Sequence, residues 1–231
     1  MKMTFKKGLV HGLPICLGYL SVSFGFGITA VSSGLTPLEA TIISASNLTS
    51  AGQVAGIGVI AGMGSYLEMI LTQFIINLRY ALMAISLSQR LDKSFSLKNR
   101  FLAAFGITDE IFAVSYAQEE KVTPKYMYGM IFVSWLGWTT GTLLGSLAGE
   151  VLPDIITGAM GIMLYAMFIA IIVPPAKESR NVLFAVSVSI ALSLVFYYLL
   201  PFISSGFAVI ICAVVSSLFG AILFPVKEEE K

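Results

Sequence analysis

The most informative residue is an arginine inside a long apolar run, Gln73-Phe74-Ile75-Ile76-Asn77-Leu78-Arg79-Tyr80-Ala81-Leu82-Met83. Arg90 follows eleven positions later, so Arg79 lies about 16 Å from that end of a helix, near mid-bilayer. A central arginine costs at least about 2.5–3.5 kcal/mol to insert, so it requires an acid, water or a ligand. Two readings stay open. Arg79 can form a structural ion pair that locks two helices. Or it can clamp a substrate carboxylate, which the planar guanidinium grips with two parallel N–H groups. Asn77 adds an amide beside it.

A second cluster is Ala104-Phe105-Gly106-Ile107-Thr108-Asp109-Glu110-Ile111-Phe112. Thr108 or Asp109 can cap a half-helix, where acids are favoured in the first turn. Adjacent carboxylates on a helix point in different directions and need not share a role. One can cap or pair with Arg79, while the other binds and releases protons. Glu68 is a third acid near the outer end of its run. It reads first as an interfacial residue reaching water, and otherwise as a further proton or ion-pair group. The third cluster is Ser44-Ala45-Ser46-Asn47-Leu48-Thr49-Ser50-Ala51-Gly52-Gln53. Small residues here allow close backbone approach, and Asn47 and Gln53 supply amides. A helix break at this point would expose helix N–H groups that attract a carboxylate. The alternative is polar glue between helices.

These residues need spans to hold them. Hydrophobic residues make up 57% of the 231 and charged residues 12%, too few to coat a soluble surface; mean hydropathy is +0.88. The fold class is an all-α polytopic membrane protein, taken as one integral domain over 1–231. Runs long enough to cross are Gly8–Val31, Ser65–Leu87, Tyr126–Ala148, Ile155–Val173, Val182–Leu200 and Gly206–Phe224. Prolines 37, 124, 153, 174, 175, 201 and 225 mark their edges. Pro14 alone sits inside a run, in what reads as its first turns. The first run has a basic start but no clear cleavage site, so it reads as a retained span. Thr41–Ile60 and Phe101–Gln118 are too polar or too short for ordinary spans. They suit broken or re-entrant helices.

Of the 14 basic residues, only Arg79 lies within a span. If both polar segments enter and leave from one side, six crossings result and the other 13 basic residues are cytoplasmic, as are both termini. If both cross fully, eight crossings result and the loop Arg90–Arg100 is outside. The six-crossing arrangement is preferred. Leu17-Gly18-Tyr19 and Leu136-Gly137-Trp138 are weakly alike; a duplicated unit or chance explains this, and chance is adopted. Gly137, Gly141, Gly145 and Gly149 form a small-residue face for helix packing. Met160, Met163 and Met167 form an apolar stripe. Net charge is +1, so no basic surface invites nucleic acid. One histidine, His11, and two cysteines, Cys16 and Cys212, offer no histidine metal site and no disulfide framework. Neither a phosphate-binding loop nor a serine nucleophile elbow occurs. An aspartyl intramembrane enzyme using Asp109 is the only enzymatic alternative.

The chain resembles the AzlC family of azaleucine-resistance and branched-chain amino acid permeases. Ser50-Ala51-Gly52-Gln53, Asn77-Leu78-Arg79 and Phe105-Gly106-Ile107-Thr108-Asp109-Glu110 carry the likeness, with Trp138 and the glycine-rich span after them. Tyr80 departs from it, since many members carry His there, which puts proton coupling through that position in doubt. The resemblance implies the large subunit of a two-component exporter of branched-chain amino acids in the bacterial inner membrane; coupling to the proton gradient is a separate expectation, drawn from the intramembrane acids. The substrates would be Leu, Val, Ile and Met, with toxic analogues such as azaleucine, and the partner a small membrane subunit of the AzlD type. Arg79, Asn77, Gln53, Gly52, Ala51 and Asn47 would hold the substrate, and Asp109, Glu110 or Glu68 the proton. No cofactor is implied. The rivals are a non-transporting scaffold subunit and a passive channel.

Overall fold

The computed structural model describes residues 3–149, 151–153, 155, 166, 169 and 172–225. Among these the chain is helical, without strands beyond one isolated bridge, Leu91 to Val122. The named helices are α1 (Phe5–Ser32), α2 (Pro37–Ser46), α3 (Ser50–Ala61), α4 (Tyr66–Ser88), α5 (Leu97–Ala104), α6 (Asp109–Tyr116), α7 (Pro124–Gly149), α8 (Arg180–Leu199) and α9 (Ser205–Leu223). Helices α1, α4, α7, α8 and α9 are long and apolar enough to cross a membrane. The expected span Ile155–Val173 and its stripe Met160, Met163 and Met167 lie almost wholly outside the described residues, as does the charged tail from Lys227.

Both polar segments are broken helices. The first is α2 and α3 with a break at 47–49, and the second is α5 and α6 with a break at 105–108. Two expectations about proline are corrected. Pro14 lies well inside α1, which begins at Phe5 and not at Gly8; the carbonyl of Val10 therefore loses its helical donor. Pro174 and Pro175 lie within a helical run, 172–178, instead of ending one. Pro37 opens α2 where a missing N–H costs least, and Thr36 and Glu39 close a capping box around it. Gly34, at φ +94°, lets the chain leave α1, with Leu35 N–H bonded back to Ala30 C=O.

The chain divides into two compact units, Met1–Gln53 with Asn77–Leu164, and Val54–Ile76 with Tyr165–Lys231. In the first, α1 and α7 run side by side. A Cβ on Gly137 would press into the carbonyl of Cys16, one on Gly141 into that of Leu20, and one on Gly145 into that of Phe24. Gly149 makes only ordinary contact with Ile28. On the opposite side of the seam, Gly8 meets the carbonyl of Tyr126 and Gly27 that of Thr142. The paired positions advance together along both helices, so α1 and α7 are parallel. Backbone-to-backbone approach of this kind replaces the hydrophobic effect, which lipid does not supply between helices.

One end of this unit is clasped shut. Val122 N–H donates to Arg90 C=O at 2.9 Å, and Asp92 N–H to Val122 C=O at 2.9 Å. The Arg90 guanidinium donates to the carbonyls of Tyr116 and Gln118, and Lys121 Nζ to Gln89 C=O at 2.6 Å. Thr123 binds the carbonyl of Met3, and Tyr128 donates to Asn99 at 3.0 Å. The starts of α1, α5 and α7 and the ends of α4 and α6 therefore share one end. The segment α5–α6 enters and leaves the unit there.

Candidate functional site

The break between α5 and α6 is shaped by Thr108, extended at φ −118°, ψ 171°, whose hydroxyl caps α6 by accepting Ile111 N–H. Asp109 and Glu110 then fall in the first turn of α6, where the helix dipole favours acids. They face different groups. Arg79 Nη1 donates to Asp109 Oδ2 at 2.6 Å. Arg79 Nη2 donates to Tyr80 Oη at 3.2 Å, with the guanidinium 5.0 Å from that ring's centre. The pair is not sealed: the arginine side chain is 38% exposed and the aspartate 43%. Arg79 Nε is buried with no hydrogen-bond partner among the described residues. Glu110 instead receives Tyr19 Oη of α1 at 2.5 Å, and the same phenol lies 2.6 Å from Thr108 Oγ1.

The first break is held by Gln53, which is 3% exposed. Its amide N–H₂ donates to the carbonyl of Asn47, and more weakly to that of Ile43 at 3.4 Å. Its Oε1 accepts Trp138 Nε1 at 3.0 Å. Asn47 Oδ1 accepts Thr49 N–H at 2.8 Å, which turns the chain into α3. Ala51 and Gly52 follow in the first turn of α3. Helix α2 is tied to α7 by Trp135 Nε1 to Ala45 C=O at 2.8 Å and by Ser44 to Thr142 at 2.7 Å.

Trp138 joins the two breaks. It bonds Gln53 on one side and meets Tyr19 edge to face, 5.2 Å between ring centres, on the other. The structure thus brings Gln53, Asn47, Asp109, Glu110 and Arg79 into one connected neighbourhood. Asn77 is on the same helix as Arg79, but two positions on a helix point about 200° apart, so the two do not share a face. Tyr19 escaped the sequence reading, because a tyrosine in an apolar run looks like packing. Its signal was the phenol itself, which needs a partner when buried. His11 is tied to Tyr126 Oη at 2.8 Å.

Glu68 requires a correction. It belongs to the second unit and is 4% exposed, so it does not reach water. Its Oε1 accepts Ser204 Oγ at 2.5 Å and Gly206 N–H at 3.1 Å. Ser204, at the N-cap of α9, makes no cap bond of its own, so the Glu68 carboxylate caps α9 from another helix. Gly206 leaves the room for it: a Cβ there would stand 2.5 Å from Glu68 Oε1. A cavity of about 590 Å³ also lies in this unit, lined by Ser189, Ser193, Phe196, Tyr197 and Cys212 among others. None of the residues expected from the sequence to hold substrate or proton lines it.

Comparison with known proteins follows the same boundaries. The model of the family described as AzlC protein matches residues 14–152, which include both breaks, Arg79 and the seam glycines of α7. The inner membrane protein YgaZ of Escherichia coli is 28% identical over 225 residues, 94% of this chain and 91% of its own length. A membrane protein of Archaeoglobus fulgidus is 34% identical, covering 79% of this chain and 80% of that one. The branched-chain amino acid transport protein AzlC of Bacillus subtilis is 22% identical, covering 77% and 70%. No solved structure matches. A multi-pass helical chain whose family match spans its polar centre and its tightest helix seam is placed by both: it belongs to the AzlC family.

Proposed function

We propose that this chain is the large subunit of a secondary exporter of branched-chain amino acids, driven by the proton gradient across the plasma membrane. The observation that carries the reading is the Arg79–Asp109 pair at the mouth of a helix break. It is half-exposed, single-pronged, and leaves the Nε donor of Arg79 unused. An amino acid carboxylate replacing Asp109 would engage the fork with two bonds instead of one. The name of the Bacillus subtilis relative supports the substrate class.

In this scheme Asp109 holds Arg79 while the site is empty, and moves aside for substrate. Gln53, Asn47, Ala51 and Gly52 form the wall at the first break, with Gln53 acting through the backbone it holds. Asn77 points to nearly the opposite side of α4 from Arg79 and is left out of the carboxylate contact in this scheme. Apolar spans accept the aliphatic side chain, and such a pocket separates methylenes by only about 1–3 kcal/mol. Overlapping transport of Leu, Val, Ile and Met follows, with azaleucine taking the same route. A small membrane subunit of the AzlD type completes the complex.

The test is labelled leucine or valine movement in proteoliposomes under an imposed pH gradient, with and without that small subunit. Concentrative movement that collapses with a protonophore is expected. Arg79→Ala in correctly inserted protein should lose roughly 10- to 100-fold of the rate, the range for a lost charged hydrogen bond. Arg79→Lys should lose most of it too, since the fork is gone. Retained flux in Arg79→Ala removes the arginine from substrate binding. Flux that ignores the gradient makes the protein a channel. The ion pair also fits a scaffold whose helices it locks. In that case Arg79→Ala weakens assembly with the small subunit, and no vesicle moves an aliphatic amino acid.

A further inference from the structure

The two acids that open α6 are wired to different chemistry. Asp109 takes a guanidinium at 2.6 Å. Glu110 takes a phenol at 2.5 Å, and no cation among the described residues lies within ion-pair distance of it. Tyr19 Oη stands between Glu110 Oε2 and Thr108 Oγ1, and Thr108 Oγ1 also accepts Ile111 N–H at 3.3 Å. Tyr19 and Thr108 are buried, and Trp138 closes over the phenol ring.

Hydrogen counting limits what this chain can do. A phenol has one hydrogen and here has two oxygen neighbours. With Glu110 ionised, the carboxylate is an acceptor only, so Tyr19 donates to it. The short Tyr19–Thr108 contact then needs the Thr108 hydroxyl to donate to Tyr19, which it does while still accepting Ile111 N–H. With Glu110 protonated, its O–H donates to Tyr19, Tyr19 donates to Thr108, and the Thr108 hydrogen turns out of the chain. One proton enters from water and no phenolate or second ion forms. The order of donors reverses across α1 and α6, ending on the residue that caps the helix bearing Asp109. Asp109 is paired at 2.6 Å with the Arg79 guanidinium, a positive charge that favours the carboxylate, and Glu110 has no such cation beside it.

We propose that Glu110, and not Asp109, takes up and releases the coupling proton, and that Tyr19 is a positioning residue that passes its protonation state to the cap of α6. The proposal rests on the proton-coupled transport reading above. The groups around Glu110 are Tyr19 from α1, Tyr80 from α4 and Asp109 on α6 itself, with Arg79 of α4 bound to Asp109. Among the described residues, α7 brings no titratable side chain into hydrogen-bond or ion-pair contact with α6. His11 on α1 is bound to Tyr126 instead.

The experiment uses the full chain in lipid vesicles, with the small subunit where that is required for flux. Infrared difference spectra between alkaline and acidic buffer read protonated carboxyl groups directly. A carboxyl band missing in Glu110→Gln, kept in Asp109→Asn and shifted in frequency in Tyr19→Phe is expected. In the same vesicles, Glu110→Gln should lose leucine accumulation driven by a pH gradient. It should keep exchange of internal for external leucine, which moves no net proton. Where Glu110→Gln fails to insert, Glu110→Asp keeps a titrating band at a displaced frequency. A band that survives in Glu110→Gln, or proton-driven accumulation by that variant, overturns the assignment. An unshifted band in Tyr19→Phe removes Tyr19 from the chain. Absence of leucine exchange in wild-type vesicles refutes the transport reading instead, while the infrared band still decides where the proton binds.

Discussion

Gln53 shows how one side chain can hold a helix open. Its amide satisfies a backbone carbonyl exposed by the break and the indole N–H of Trp138. Leucine at 53 fits the volume but strands both partners. Gln53→Leu should therefore cost about 1–3 kcal/mol, read as a lower unfolding midpoint in micelles. Gln53→Glu should fall between, since it still accepts from Trp138. At the clasped end, Asp92 is governed by pH. The Ser94 hydroxyl and then the Ser94 backbone N–H hold its carboxyl below the ordinary aspartate value of 3.8. A depressed carboxyl contributes its stabilisation above the unfolded value and loses it as pH falls through the folded one. Amide exchange at Ser94–Ser96, corrected for intrinsic rate, should stay flat near neutrality and rise only below about pH 3.8. Arg79 and Asp109 were both legible in the sequence, since charge inside an apolar run is costly wherever it sits. That one of the two adjacent acids could pair with Arg79 was legible as well; that it is Asp109 and not Glu110 was not, because thirty residues separate the pair and only the fold sets which acid faces the guanidinium.

At the level of elements, the seam between α1 and α7 makes the sharpest claim. Gly141 packs on the carbonyl of Leu20 and the hydroxyl of Ser23, whereas Gly18, on the same pair of helices, has nothing within 4 Å of its added Cβ. Gly141→Ala should destabilise by about 1–3 kcal/mol through overpacking. Gly18→Ala should stabilise by up to about 1 kcal/mol, because it only removes backbone freedom. Thermal midpoints of the two variants in the same lipid measure the contrast. The spacing of glycines marked this face in advance. That it meets α1, in parallel and in this register, is a product of packing. The similar tracts around Tyr19 and Trp138 end up side by side with their rings in contact. The two broken helices were visible as polar composition, but their break points depended on local capping by Thr108 and Asn47.

For the whole molecule, the clasp bears on the number of crossings. The ends of α5–α6 meet the starts of α1 and α7, as a segment that returns to its own side must. We expect six crossings, with that end in the cytoplasm. Single cysteines at Lys93 and Lys121, with Cys16 and Cys212 replaced, should react only from the cytoplasmic side, and one at Gly34 only from outside. Labelling of Lys93 from outside would instead establish the eight-crossing arrangement. The basic residues agree with the six-crossing arrangement, since Arg90, Lys121 and Lys125 gather near the start of α1.

Membrane residence, helical class, the mid-span arginine and the two polar breaks were readable from the sequence alone. Each follows from a local transfer cost: apolar runs of fixed length partition into lipid, and polar groups there need partners. The tertiary structure alone decided which partners those are. It gave Asp109 to Arg79, Tyr19 to Glu110, Trp138 to Gln53 and the start of α9 to Glu68. Those choices depend on helix register and on glycine-limited approach between segments far apart in the chain, and no local pattern encodes them.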